Sequence, residues 1–250
     1  MTEKFKYIQE NRFPVVYFLL LLLIIIFRTS TSFAEEEASL DRRVQAFTMK
    51  NGIRVLIMER HISPTVSFYI RFCAGAVDEI EGKTGLAHLL EHMMFKGTKT
   101  IGTKNIRKEL DILTEIRKTG EHLDHERARR DKSDKILLGK LGERLAALQK
   151  IHRQWYRSNE IDRIYNENGA VNINASTGQD MITYHVSLPA NKSELWARIE
   201  SDRMANPVFR EFYQERNVVM EERRQRIDSD PDGQLYEKFT AAAFMIHPYR

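Results

Sequence analysis

Residues 85–97 read GLAHLLEHMMFKG, a run that is apolar apart from His88, Glu91, His92 and Lys96. Gly85 and Gly97 are the punctuation expected at the two ends of a helix. On an α-helix, positions i and i+4 lie one above the other, so His88 and His92 can aim two imidazoles at one point. Neutral imidazoles at that spacing suit Zn²⁺, which favours nitrogen ligands and tetrahedral geometry. Glu91 follows His88 by three residues and adjoins His92. It can reach water beside the metal without being a ligand, where a carboxylate takes a proton and later delivers it to a leaving amine. The bland alternative is a pair of packed or surface histidines. Met93, Met94 and Phe95 follow at once, so the helix is half-buried, and a buried imidazole without a partner is costly where a metal would supply one. Metal binding is the stronger reading, and such a zinc site needs a third protein ligand and an open fourth position.

Upstream, VQAFTMKNGIRVLIMER (44–60) sets two apolar-rich runs around Asn51-Gly52, which predicts a hairpin closed by a type I′ turn. TVSFYIRFCAGAV (65–77) predicts a third strand, with Cys73 buried in it as a small hydrophobe. Downstream, a helix is expected from near Thr103, with Ile106, Leu110 and Leu113 at helical spacing. From about 115 to 163 the composition turns to charge, while Leu138, Leu141, Leu145, Leu148 and Trp155 keep a 3–4 spacing. That pattern predicts a long amphipathic helix, or half of a helical hairpin, whose charges form a solvated face. GAVNINAST (169–177) and MITYHVSLP (181–189) read as strands, followed by helices over 193–206, 210–228 and 234–244, with Pro207 and Pro231 between them. Strands with hairpin-type connections and helices gathered after them predict an α+β fold, an antiparallel sheet covered by helices, with the charged helical segment as an insertion.

The order H-x-x-E-H reverses the commoner H-E-x-x-H and defines the inverzincin arrangement. With it, GLAHLLEHMMFKGT (85–98), NINASTGQDMITYHVSLP (172–189) and EFYQERNVVMEERRQRIDSDPDGQLYE (211–237) resemble the N-terminal catalytic half of the pitrilysin and mitochondrial-processing-peptidase family of zinc peptidases. The resemblance covers roughly residues 44–250 and leaves the charged segment as an insertion. It implies that Glu222 is the third zinc ligand and that Glu215, seven residues earlier, orients a ligating histidine. Seven residues is two helical turns, so both carboxylates fall on one face, whereas Glu221 lies about 100° away. The resemblance also implies that GAVNINAST is an edge strand to which an extended peptide adds by main-chain hydrogen bonds, with Asn174 and Ala175 near the scissile bond. His92 and Glu222 stand further apart in sequence than the family usually has, and the insertion accounts for the excess. The remaining histidines, His61, His122, His125, His152 and His247, have no convergent partners that the sequence identifies.

The N-terminus has its own pattern. A weakly basic start ends at Pro14, residues 15–27 are an unbroken apolar run, and Ser32 and Ala34 supply the small residues of a cleavage site. A secretory signal peptide over 1–34 is expected, with export to a periplasmic or secreted compartment; the rival is an uncleaved membrane anchor. Residues 1–34 carry Lys4, Lys6, Arg12 and Arg28 against Glu3 and Glu10, which is +2 of the formal +4 and leaves +2 for the rest. So small a surplus gives no basic face for nucleic acid. Cys73 is the single cysteine, which excludes an intrachain disulfide.

The expected activity is zinc-dependent hydrolysis of peptide bonds in extended peptides or unfolded protein segments, with residues 35–250 as the catalytic domain. Two rivals stand beside it: a non-catalytic zinc-binding subunit of a peptidase complex, and a membrane-tethered interaction protein acting through 115–163. Family relatives continue through more strands and a second, similar domain, so the chain is expected to be the front of a longer enzyme or to pair with a separate second half.

Overall fold

The computed structural model describes residues 43–250, and the signal segment expected at 1–34 lies outside the described residues. Two units are distinguished, divided between Ser63 and Pro64. In the first, β1 (Val44–Thr48) and β2 (Arg54–Met58) pair antiparallel, with Thr48 opposite Arg54. The turn is not the expected type I′, which requires positive φ at both central residues. Gly52 alone adopts it, at +89°. Asn51 instead uses its side chain to accept from the Ile53 amide at 3.2 Å. Gly52 N–H donates to the Met49 carbonyl and Met49 N–H to the Ile53 carbonyl. The result is a wider loop closed by a glycine bulge, the next commonest hairpin solution.

In the second unit, period-two alternation builds the sheet. β3 (Thr65–Phe72), β4 (Val171–Thr177) and β5 (Ile182–Pro189) are antiparallel in the order β3-β5-β4. The central strand buries Ile182, Tyr184, Val186 and Leu188. Opposite them stand Phe72, Ile70, Phe68 and Val66 of β3. The alternate residues Ser67, Tyr69, Arg71, Asn174 and Ser176 are exposed. One covered and one polar face is what an antiparallel sheet under helices requires. Asn172, at φ +55°, marks a bulge that shifts the β4 register between Val171 and Asn174.

The helices are α1 (Leu86–Met93), α2 (Ile106–Ala128), α3 (Lys135–His152), α4 (Glu160–Glu167), α5 (Ser193–Ala205), α6 (Phe212–Arg223) and α7 (Pro231–Ala243). Ile161 and Tyr165 of α4 and Ile199 of α5 pack on Val186 and Leu188. Phe68 of β3 stacks on Trp196 of α5 with centroids 4.1 Å apart. The α+β reading therefore matches the structure. Among the described residues, no helix is long and apolar enough to cross a membrane.

The charged stretch is a helical hairpin rather than one long helix. The chain turns between α2 and α3, where Arg130 takes φ +53° and the Asp134 carboxylate accepts from the Ile136 and Leu137 amides to start α3. Leu138, Leu141, Leu145 and Leu148 then face Ile116 and Leu123 of α2. Tyr213 of α6 joins the same cluster, pressed over Gly120 so closely that a Cβ there would lie 2.0 Å from its ring. Cys73 also departs from expectation: β3 ends at Phe72, and the thiol is exposed beyond it.

Candidate metal centre

The helix α1 begins at Gly85, in left-handed conformation at φ +92°. The Glu79 carboxylate accepts from the Gly85 and Ala87 amides at 2.8 and 2.6 Å, satisfying N–H groups that a helix start leaves without partners and complementing its dipole. Leu89 and Met93, four apart, are buried, while His88, Glu91 and His92 are half-buried. After α1 the chain turns at Gly97, φ +94°, where a Cβ would meet the Ile101 carbonyl oxygen at 2.5 Å. The Arg210 guanidinium fills this turn, donating to the carbonyls of Lys96, Thr98 and Ile101.

Helix α6 packs beside α1 and brings Glu222 to the two histidines. His88 Nε2 lies 3.6 Å from Glu222 Oε2, and His92 Nε2 lies 3.8 Å from Glu222 Oε1. One ligand atom from each of the three residues falls within 4.8 Å of the others. Tetrahedral zinc with ligands at about 2.0–2.1 Å separates its ligand atoms by roughly 3.3–3.4 Å, so the donor set suits the ion in type, and its atoms would draw in to hold it. Glu215 Oε2 lies 3.2 Å from His92 Nδ1. A carboxylate acceptor there puts the proton on Nδ1 and leaves the Nε2 lone pair directed toward Glu222. Glu221 turns away, paired with Arg224 and accepting from Gln225 at 3.1 Å.

Glu91 is held from the sheet, its Oε2 accepting from the Thr177 hydroxyl at 2.5 Å. β4 thus ends against the helix that carries the histidines. Asn174 is exposed and Ala175 half-buried on that strand; neither is part of the three-residue cluster. A cleft of about 600 Å³, lined by His88, Leu89, Phe212, Val219 and Glu222 among others, opens beside the cluster.

Several supporting residues escaped the sequence reading. Thr177 and Glu79 are common residue types with no distinguishing pattern. Lys96 bridges Glu215 Oε1 at 2.6 Å and Glu211 Oε2 at 3.4 Å. His152, for which no partner is legible in the sequence, is buried, with Nε2 3.1 Å from Glu109 Oε1. Burial alone would raise the Glu109 carboxyl, but the His152 hydrogen bond and the Arg210 guanidinium together hold it below its ordinary value. Tyr184 is pushed far up by burial, as befits a core phenol.

The model of the family described as Insulinase (Peptidase family M16) matches residues 54–125 and 146–250. The unmatched 126–145 comprise the tip of the α2–α3 hairpin. The zinc protease PqqE of Helicobacter pylori is 25% identical over 208 residues, 82% of this chain and 34% of that protein. Mitochondrial-processing peptidase subunit beta of Rattus norvegicus is 42% identical over 81 residues, 32% of this chain and 15% of that protein. A protease crystal structure from Helicobacter pylori aligns with a TM-score of 0.58 and 25% identity, covering 82% of this chain and 37% of that one. The first half of the periplasmic protease PqqL from Escherichia coli shares the fold, at a TM-score of 0.50 and 20% identity over 82% of this chain and 33% of that one. The chain spans about a third of the length of the Helicobacter pylori protein it matches (34%). With both stretches of the family model aligned across most of its length, and the fold shared with solved proteases, the chain belongs to the insulinase family, peptidase family M16.

Proposed function

We propose that the chain carries the metal site of a zinc-dependent endopeptidase acting on extended peptides or unfolded protein segments. The observation that carries this reading is the convergence of His88, His92 and Glu222 ligand atoms within 4.8 Å, with Glu91 on the turn between the histidines. In this reading His88, His92 and Glu222 hold zinc, and residues 35–250 act as the catalytic domain. When bound, the ion supplies Lewis acidity, polarising a peptide carbonyl and lowering the pKa of water toward about 7.

The chain's own residues do the rest. Glu91 takes the proton from the attacking water and returns it to the leaving amine. The Thr177 hydroxyl holds Glu91 Oε2, which leaves Oε1 to carry that proton. Glu215 fixes the His92 tautomer and ring plane. β4 is an outer strand of its sheet among the described residues, so its free edge can take an extended peptide by main-chain hydrogen bonds, with Asn174 and Ala175 nearest the scissile bond. A second homologous domain or subunit closes over the peptide and completes its positioning. The apolar run at 15–27 with its small-residue cleavage site supports an exported protein.

The test combines metal analysis with hydrolysis of an unstructured peptide library by the purified chain, alone and with a homologous second half supplied. The expected result is about one zinc per chain, with cleavage that a chelator abolishes and zinc restores. Cleavage indifferent to chelation, or a folded chain that takes up no zinc, would overturn it.

A further inference from the structure

We propose that Lys96 is a positioning residue for the metal site, holding the Glu215 carboxylate against His92 and tying it, through Glu211 and Tyr156, to the base of the α2–α3 hairpin. The inference deepens the zinc reading and rests on it. Lys96 follows α1 by only a few residues, and its side chain is 13% exposed, low for an ammonium group. Its Nζ lies 2.6 Å from Glu215 Oε1, while the other oxygen of that carboxylate, Oε2, lies 3.2 Å from His92 Nδ1. One carboxylate therefore spans a cation and a ligating imidazole, one oxygen to each.

The geometry has a chemical consequence. A cation at Oε1 fixes the plane of the carboxylate, so that Oε2 stays an acceptor aimed at Nδ1–H. Without it, Glu215 has a rotatable side chain and no other charged partner holding Oε1 among the contacts described. An acceptor that wanders no longer sets the tautomer or the ring plane of His92, which are what such partners contribute to metal affinity.

Lys96 is itself held from two sides. Its Nζ is 3.4 Å from Glu211 Oε2, and Glu211 Oε1 accepts from the Tyr156 hydroxyl at 2.7 Å. Its carbonyl accepts from Arg210 at 2.9 Å. Glu211 sits immediately before α6 in left-handed backbone conformation, φ +60°, an unusual setting for a residue with a side chain. Tyr156 lies just beyond α3, its ring 4.5 Å from that of His152. The contacts therefore run Tyr156, Glu211, Lys96, Glu215, His92, from the helical hairpin to the metal ligand.

The test is the zinc dissociation constant of the full chain, measured by competition with a chromophoric chelator, for Lys96→Met, Glu215→Gln and the double variant. Lys96→Met is expected to weaken zinc by about 10-fold or more in the parent, as loss of a partner behind a ligand does. In the Glu215→Gln background the same change should cost less than about 2-fold, because Lys96 acts through that carboxylate. If Lys96→Met fails to fold, Lys96→Gln, which retains a polar head, takes its place in the same cycle. A lysine that matters only for folding would lower the thermal midpoint of the metal-free chain and weaken zinc equally in both backgrounds, and that additivity would overturn the proposal. So would unchanged zinc affinity in the Lys96 variants. A folded parent that binds no zinc overturns the metal reading itself, a different failure seen before any variant is made.

Discussion

Thr177 and Glu91 meet across the junction of strand and helix, the Thr177 hydroxyl donating to Glu91 Oε2 at 2.5 Å. The outer strand β4, proposed to take the peptide, and the helix that presents two imidazoles are thereby joined at the carboxylate proposed to move the proton. A base fixed at one oxygen keeps the other in a constant position, and geometry held in advance is a large part of catalytic rate.

Glu91→Gln should keep about one zinc per chain and lose about 10²- to 10⁴-fold in peptide hydrolysis, because the proton acceptor goes while the ligands stay. Thr177→Val should retain zinc and lose less. Metal content and kcat/KM measured on the same preparations check both; parental turnover in Glu91→Gln would remove it from the role of base.

The adjacent carboxylates of α6 should separate by zinc affinity. His88→Ala, His92→Ala and Glu222→Gln each delete a proposed ligand and should lose the metal. Glu215→Gln should weaken it by about 10–100-fold. Glu221→Gln should change little, since its carboxylate is engaged by Arg224 and Gln225. Equilibrium competition with a chelator ranks them, and a collapse confined to the Glu221 variant would reverse the assignment.

Gly120→Ala tests how tightly the hairpin is seated on α6. In an exposed helix interior the change stabilises by about 1 kcal/mol. Here the new methyl would fall 2.0 Å from the buried Tyr213 ring, on the helix that carries Glu215 and Glu222. Displacing that ring costs about 1–3 kcal/mol, so the overpacking term wins and the variant should unfold at lower denaturant. A rise in the urea midpoint would show that Tyr213 rotates away freely.

Acid should weaken the fold through Glu109. Its carboxyl is held below the ordinary carboxylate value of about 4.5 in the folded chain, by the His152 hydrogen bond and the Arg210 guanidinium. As pH falls, the unfolded chain binds the proton first, so the stabilisation is complete above about 4.5 and is lost as pH drops through the folded value. Glu109→Gln should cost about 3–5 kcal/mol at neutral pH, because it leaves the buried Arg210 without its anion. It should also flatten the acid dependence. Urea unfolding across an acid series reads both effects; a parent whose stability does not fall in acid would count against the assignment.

What the sequence determined by itself is what short range determines. The pairing of His88 with His92 needs only the period of one helix, and the strands of the sheet show as alternation within a few residues. The resemblance to a peptidase family likewise rested on three contiguous motifs. Tertiary structure decided the rest. Turn geometry at Gly52 and Arg130 depended on backbone angles that residue identity only biases, so the hairpin loop widened and the charged segment folded back as two helices. Cys73 became exposed because β3 stops one residue before it. Thr177, Lys96, Glu211 and Tyr156 are ordinary residues in the sequence, and His152 shows no partner there. Their roles come from partners many tens of residues away, brought together when α6 packs on α1 and on the hairpin, when β4 ends against α1, and when α3 folds back on α2. Polar groups withdrawn from water must pair with whatever the packing brings near them, and no local pattern records which groups those are.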